Sequence, residues 1–223
     1  MRPILWICAI VLTPAAQAQT GIRIPGQAAR PAGDSTERTA HGTGFMRLFD
    51  MVSPVSPRPL DAKERFIQYL TRTVGPVPLF VEFTVAGIDQ GLDRPPEWHQ
   101  EAGGYAKRLA NVVAYNTVRQ TLTFGVAALL DEDTRYFPSE SQRGWQRTTH
   151  ALKSTFTARR HGHEVFSVAA VSGVVGTALI SRAWVPPSWR HGKDVAASIG
   201  VSLAGSAAFN VLREFLPDLL RRR

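Results

Sequence analysis

The chain has 223 residues, a formal net charge of +8, and 44% apolar against 20% charged residues. That length carries one domain with a sizeable core, and the positive excess favours adhesion to anionic surfaces. A single cysteine excludes a disulfide framework, and the lack of a basic stripe interleaved with aromatics argues against nucleic acid as a partner.

Residues 1–18 read as a secretory signal. Arg2 supplies the charged start, Ile4 to Leu12 the apolar run, and Ala16-Gln17-Ala18 a small-residue cleavage site. Cys8, the one cysteine, falls inside this segment, so the exported chain is expected to have no thiol and to rest on packing alone. Outside the cytoplasm the polyanions on offer are acidic lipid headgroups and envelope polymers. The expected partner is therefore an anionic membrane or envelope surface; the oligomeric state stays open. Residues 19–59 form a Pro/Gly-rich tail, with Phe45 to Met51 as its one apolar island.

Order is expected from residue 60 to residue 223. Asp61 and Glu64 fit a capping box, Phe66, Ile67 and Leu70 share one helical face, and Gly75-Pro76 stops that helix. Val77 to Gln90 is apolar with one acid, Glu82. After the rigid Pro95-Pro96 turn, Glu101 to Leu130 makes the longest helix, interrupted by Asn111 and Arg119. An amphipathic helix is expected from Trp145 to Thr157, with Ala151, Leu152 and Phe156 inward. No sustained two-residue alternation is present, so the expected fold class is all-α, a compact bundle of about six helices.

The most unusual stretch comes last. Phe166 to Ser181 and Val195 to Val211 are nearly free of charge and rich in Gly and Ala. Ala169, Gly173 and Gly176 line one face of the first arm; Ala196, Gly200, Ala204 and Ala208 step by four along the second. Small residues at such spacing let helix backbones approach closely, so Gly173, Gly176, Gly200 and Ala204 are the expected packing positions, within the hairpin or against similar neighbours. Each arm offers about 16 to 18 residues before a charge or Pro, where a bilayer span needs about 20. The turn between them carries Arg182, Trp184, Trp189, Arg190 and Lys193, residues suited to a headgroup layer. A soluble Gly/Ala core and a membrane hairpin both fit this pattern.

Candidates for chemistry are few. Asp131-Glu132-Asp133 with His150, His161 or His163 has metal-ligand residue types, but three adjacent acids read first as a solvated inter-helix loop, and no metal or cofactor is expected. Glu82 and Arg119, each alone in an apolar run, suggest a buried ion pair.

Gly87-Ile88-Asp89-Gln90, Pro95-Pro96-Glu97-Trp98, Gly104-Tyr105-Ala106-Lys107-Arg108, the run Ala128 to Phe137, and Ile180 to Trp184 with Pro186-Pro187 resemble a family of exported, all-helical bacterial proteins of unknown function. The likeness spans about Leu60 to Leu220 and implies a helical, exported protein without an assigned activity. A second set resembles the type 2 phosphatidic-acid-phosphatase superfamily: His161-Gly162-His163, Ser181-Arg182, His191 and Asp194. That resemblance implies an acid at His163, a phosphate clamp at Arg182, a nucleophile at His191 and its orienting carboxylate at Asp194. The chain departs from the superfamily in having Arg160-His161-Gly162 before His163 and a single helix between His163 and Ser181.

The leading expectation is a non-enzymatic exported envelope protein, bound to a membrane or inserted through its C-terminal hairpin. An exported phosphatase using His163, Arg182, His191 and Asp194 is one alternative, and a periplasmic binding or assembly module is another.

Overall fold

A computed structural model describes residues 58–221 of the chain. The expected signal segment, Cys8 and all of the expected tail except Arg58 and Pro59 lie outside the described residues. The described chain is mostly helical, with six α-helices and one two-stranded antiparallel sheet.

Helix α1 (Ala62–Val74) starts at the expected capping box. Asp61 Oδ1 accepts from the Glu64 amide at 2.7 Å, and the Asp61 amide donates to Glu64 Oε2 at 3.0 Å. Gly75 ends α1, and Pro76, whose missing N–H is no loss at a first helical position, opens α2 (Pro76–Gly91). A short 3-10 turn (Pro96–Trp98) leads to α3 (Ala102–Leu130), 29 residues and about 43 Å long, which ends on Asp131 in the left-handed region at φ 53°.

Helix α4 (Gly144–Lys153) is shorter than expected, because the chain turns into two strands that periodicity did not suggest. Strands β1 (Thr157–Arg160) and β2 (His163–Phe166) pair antiparallel, with Arg160 opposite His163. The two-residue turn explains them. His161 and Gly162 both take positive φ, 51° and 83°, which matches strand twist in tight hairpins and is least strained at glycine. Asp133 extends the pairing: its amide donates to the Arg159 carbonyl at 2.7 Å, and the Arg159 amide donates back to the Asp133 carbonyl at 3.0 Å.

Helix α5 (Val168–Ile180) begins at Ser167, whose hydroxyl accepts from the Ala170 amide at 3.0 Å. Its main packing partner is α3. A Cβ on Gly173 would stand against Thr123 and 3.1 Å from the Arg119 carbonyl oxygen, and one on Gly176 would stand 2.7 Å from Leu122 Cδ1. These two glycines therefore sit where α5 and α3 approach closely. Helix α6 (Gly192–Arg221) outruns the arm expected from Val195 to Val211 at both ends and packs against α4 and α5. Its Ala196, Gly200, Ala204 and Ala208 all face outward, and a Cβ on Gly200 would meet nothing within 4 Å. The expectation that this stripe packs on the first arm is corrected: α6 turns its other side inward.

The distribution of side chains follows from this arrangement. The buried apolar residues are mostly small: Ala86, Ala127, Ala151, Ala158, Ala169, Val174 and Ala178. Large apolar side chains face outward on α2 (Phe80, 63% exposed; Phe83, 51%) and α6 (Val201, 65%). The shared face of Phe66, Ile67 and Leu70 on α1 is exposed too, and so are Leu152 and Phe156, which were expected inward. Buried positions instead hold Glu82, Arg108, Glu132, Arg135 and Glu214. Large apolar groups outside and charges inside invert the usual arrangement of a water-soluble domain.

Candidate functional site

Side chains from α1, α2, α3, α5 and α6 line a partly open cavity of about 490 Å³. Its polar wall is built by helical spacing. Tyr115, Asn116, Arg119, Gln120 and Thr123 recur at three- and four-residue steps on α3, and Ser202, Ser206, Asn210 and Arg213 do so on α6. Two cross-links tie these walls. The Tyr115 hydroxyl lies 2.9 Å from Ser198 Oγ and 3.3 Å from Ser202 Oγ, and Arg119 Nη2 donates to Ser206 Oγ at 2.7 Å.

Glu82 of α2 is 2% exposed and faces the same cavity. Asn116 Nδ2 donates to its Oε1 at 2.8 Å, and Gln120 Nε2 donates to Asn116 Oδ1 at 3.2 Å. Glu82 Oε2 has no hydrogen-bond partner among the described residues. The expected Glu82–Arg119 ion pair is thus replaced by two separate engagements: Asn116, one turn before Arg119, takes the carboxylate, and Ser206 takes the guanidinium.

Arg72, in the last turn of α1, adds a second cation and donates to Thr134 Oγ1 at 3.4 Å. Burial pulls its guanidinium down to about 10; Asp133 opposes that shift, while the nearby Arg135 and Arg119 add to it. Asp133 is itself held by Arg135, which donates from Nε at 2.8 and 2.9 Å and from Nη2 at 2.5 Å. Arg213 is the third cation on the wall, with its guanidinium 4.6 Å from the centre of the Phe209 ring.

Tyr136, which lines the cavity, is held from behind by Glu214, 1% exposed. Glu214 accepts from the Tyr136 hydroxyl at 2.5 Å, from Arg147 Nε at 2.8 Å and from the Ser139 amide at 3.1 Å. Burial first, then the hydrogen bond to Glu214 and its charge, push the Tyr136 phenol well above its ordinary range.

The residues singled out from sequence lie elsewhere. His163 opens β2 and is exposed; Arg182 stands in the 3-10 turn after α5 and is exposed. His191 Nδ1 and Asp194 Oδ2 meet at 3.2 Å at the start of α6. The 13 residues of α5, about 20 Å of helix, separate the His163 end from the Arg182 end. His191 and Asp194 are brought together, and His163 is not brought to Arg182. The three acids of the expected loop also part company. Asp131 lies 2.5 Å from Arg65 and 3.5 Å from His161, Glu132 caps α5, and Asp133 pairs with Arg135. Among the described residues no group of three His, Cys, Asp or Glu side chains is placed to hold a metal ion.

The cavity residues carried a sequence signal that the Gly/Ala stripe obscured. Ser198, Ser202, Ser206 and Asn210 step by four along α6, and Tyr115 and Arg119 step by four along α3. Two polar ladders on otherwise apolar helices are what a shared polar interior requires. No family model matches the chain, and no curated protein and no solved structure matches it.

Proposed function

We propose that this is a non-enzymatic, membrane-inserted protein of the cell envelope, seated in lipid through α6 with the apolar face of α2. The observation that carries the reading is the exposure of α6. From Gly192 to Leu219 the helix is long and apolar enough to cross a bilayer, and none of its most apolar stretch is buried in the fold. In water, exposed Phe80, Phe83 and Val201 would each forgo roughly 1–2 kcal/mol of burial; in lipid they meet their own kind.

Two further features support lipid as the surrounding. Between its charged ends, Lys193-Asp194 and Asp218 to Arg221, α6 carries two charged residues, Arg213 and Glu214, and both point into the fold, as ionisable groups in a membrane helix do. The turn before α6 and the first turn of α6 expose Arg182, Arg190 and Lys193 beside the half-buried Trp184 and Trp189, a combination suited to anionic headgroups. The leader-like residues 1–18 support export. The separation of His163 from Arg182 favours a binding or structural role over hydrolysis by that set.

Alkaline carbonate washing of membranes from cells making the full chain tests the proposal. The protein is expected to stay in the pellet and to be released only by detergent. Recovery of the full-length mature protein in the carbonate supernatant would overturn insertion.

A further inference from the structure

The cavity between α3 and α6 gathers guanidinium groups on its wall. Arg72 and Arg119 both line it, and both take hydroxyls as hydrogen-bond partners, Thr134 and Ser206. Among the described residues neither forms a salt bridge. The carboxylate that would serve Arg72, Asp133, is committed to Arg135. Arg213 brings a third guanidinium to the same space. Gathering like charges away from water is unfavourable unless an anion joins them. Guanidinium, a planar fork of donors, is the side chain best matched to phosphoryl oxygens.

Glu82 adds the second, independent indication. One of its oxygens is satisfied by Asn116, and the other is buried and lacks any hydrogen-bond partner among the described residues. A bare dianion would be repelled there, whereas a ligand that carries an O–H could donate to it. A monoprotonated phosphomonoester has both halves of this requirement: two or three oxygens to accept from guanidinium, and one P–OH to give to Glu82 Oε2. Beside this polar wall the cavity has an apolar patch, Val77, Val81, Val112, Val174 and Leu203, which suits an alkyl chain attached to the phosphate.

We infer that this cavity binds a phosphomonoester, with its phosphate between Arg72 and Arg119 and its P–OH on Glu82, and that the apolar wall takes an alkyl chain. The site does not depend on whether α6 crosses a bilayer, since its walls are the fold's own helices. Failure here and failure of membrane insertion are therefore separately visible.

The test is titration calorimetry on the full mature chain in a neutral maltoside detergent, with octyl phosphate, inorganic phosphate, octanoate and octyl glucoside as probes. Octyl phosphate is expected to bind, octyl glucoside to give no heat, and octanoate to bind at least about tenfold more weakly than octyl phosphate. Inorganic phosphate binding as tightly as octyl phosphate would keep the oxyanion site and assign it to free phosphate, overturning the alkyl clause. Arg72→Gln and Arg119→Gln are each expected to weaken octyl phosphate about tenfold or more, and Arg143→Gln, exposed and outside the cavity, to leave it unchanged. Unliganded Arg72→Gln should unfold at a temperature no lower than the parent, because a like-charge neighbour has gone; a purely structural arginine would give the opposite. Absence of heat for octyl phosphate, equal titration in the two variants, or octanoate binding as tightly as octyl phosphate would overturn the assignment.

Discussion

Glu132, just past the end of α3, caps α5 from across the fold. Its Oε2 accepts from the Ser167 hydroxyl at 3.0 Å and from the Ala169 amide at 3.1 Å, and its Oε1 accepts from the Val168 amide at 3.2 Å. A buried carboxylate on the first free amides of a helix satisfies donors that nothing else reaches and complements the helix dipole. Glu132→Ala is therefore expected to destabilise the protein by about 2–3 kcal/mol. Asp131→Asn, at the exposed neighbour, should change it by less than about 1 kcal/mol. Loss of helical circular dichroism on heating in neutral detergent measures both, and equal effects would show that the cap is not what holds α5 to α3.

Arg108, 1% exposed, matches each of its five donor hydrogens to an acceptor. Nε donates to the Arg94 carbonyl at 2.7 Å; Nη1 donates to Gln90 Oε1 at 2.6 Å and the His99 carbonyl at 2.5 Å; Nη2 donates to the Pro95 carbonyl at 3.0 Å and Asp93 Oδ1 at 3.2 Å. One side chain thereby ties α3 to the loop after α2. Arg108→Lys keeps the charge and loses the fork, so it should still cost about 2–4 kcal/mol. If denaturant titration finds Arg108→Lys as stable as the parent, charge alone suffices and the fork is idle.

Adjacent glycines at the start of α3 are expected to respond in opposite ways. A Cβ on Gly104 would collide with the carbonyl oxygens of Trp98 and His99, whereas one on Gly103 would meet nothing within 4 Å. Gly104→Ala should destabilise by on the order of 3 kcal/mol, since a backbone rather than a rotatable group must move. Gly103→Ala should gain about 0.5–1 kcal/mol from helix propensity. Paired melting curves decide it, and matching shifts would refute the close approach of loop and helix.

The same contrast applies to the two Gly/Ala helices. Gly173→Leu would drive a side chain into Thr123 and the Arg119 carbonyl, at an expected loss of at least about 2 kcal/mol, while Gly200→Ala should be neutral or stabilising by up to about 1 kcal/mol. Thermal unfolding of the two variants measures this. A larger loss at Gly200 would mean that α6 presents its small-residue stripe to the fold after all.

That stripe explains where sequence reasoning worked and where it failed. Helix boundaries were legible wherever local chemistry writes them: Asp61 and Glu64 at the start of α1, and Gly75-Pro76 between α1 and α2. The inward face of α6 was not, because two stripes step by four on it. Ala196-Gly200-Ala204-Ala208 suggested close packing, yet Ser198-Ser202-Ser206-Asn210 has the partners, Tyr115 and Arg119 on α3 and the Ala151 carbonyl for Asn210. The role of Arg108 was illegible for another reason: three of its acceptors are main-chain carbonyls, which every residue carries and no sequence distinguishes. The β-hairpin was hidden because its only strong signal, His161-Gly162, lies between four-residue strands without apolar alternation.

The Tyr136–Glu214 pair makes a prediction that depends on pH. The phenol donates to Glu214 Oε2 at 2.5 Å, and burial, that bond and the carboxylate's charge hold its pKa above the unfolded value. A group raised in this way contributes stability that is complete below its unfolded pKa of about 10 and is lost as pH rises toward the folded one. At pH 8 Tyr136→Phe should be less stable than the parent by about 1.5–3 kcal/mol, because a buried carboxylate loses a donor. Above about pH 10 the gap should narrow by about 1.4 kcal/mol per pH unit, since only the parent must keep a phenol protonated in order to fold. Other groups that titrate in the same range, Arg72 among them, are shared by both proteins and cancel in the difference. Urea unfolding of the pair from pH 8 to 11.5 measures the gap, and a constant difference across that range would mean that Tyr136 does not fold against Glu214 as a protonated donor.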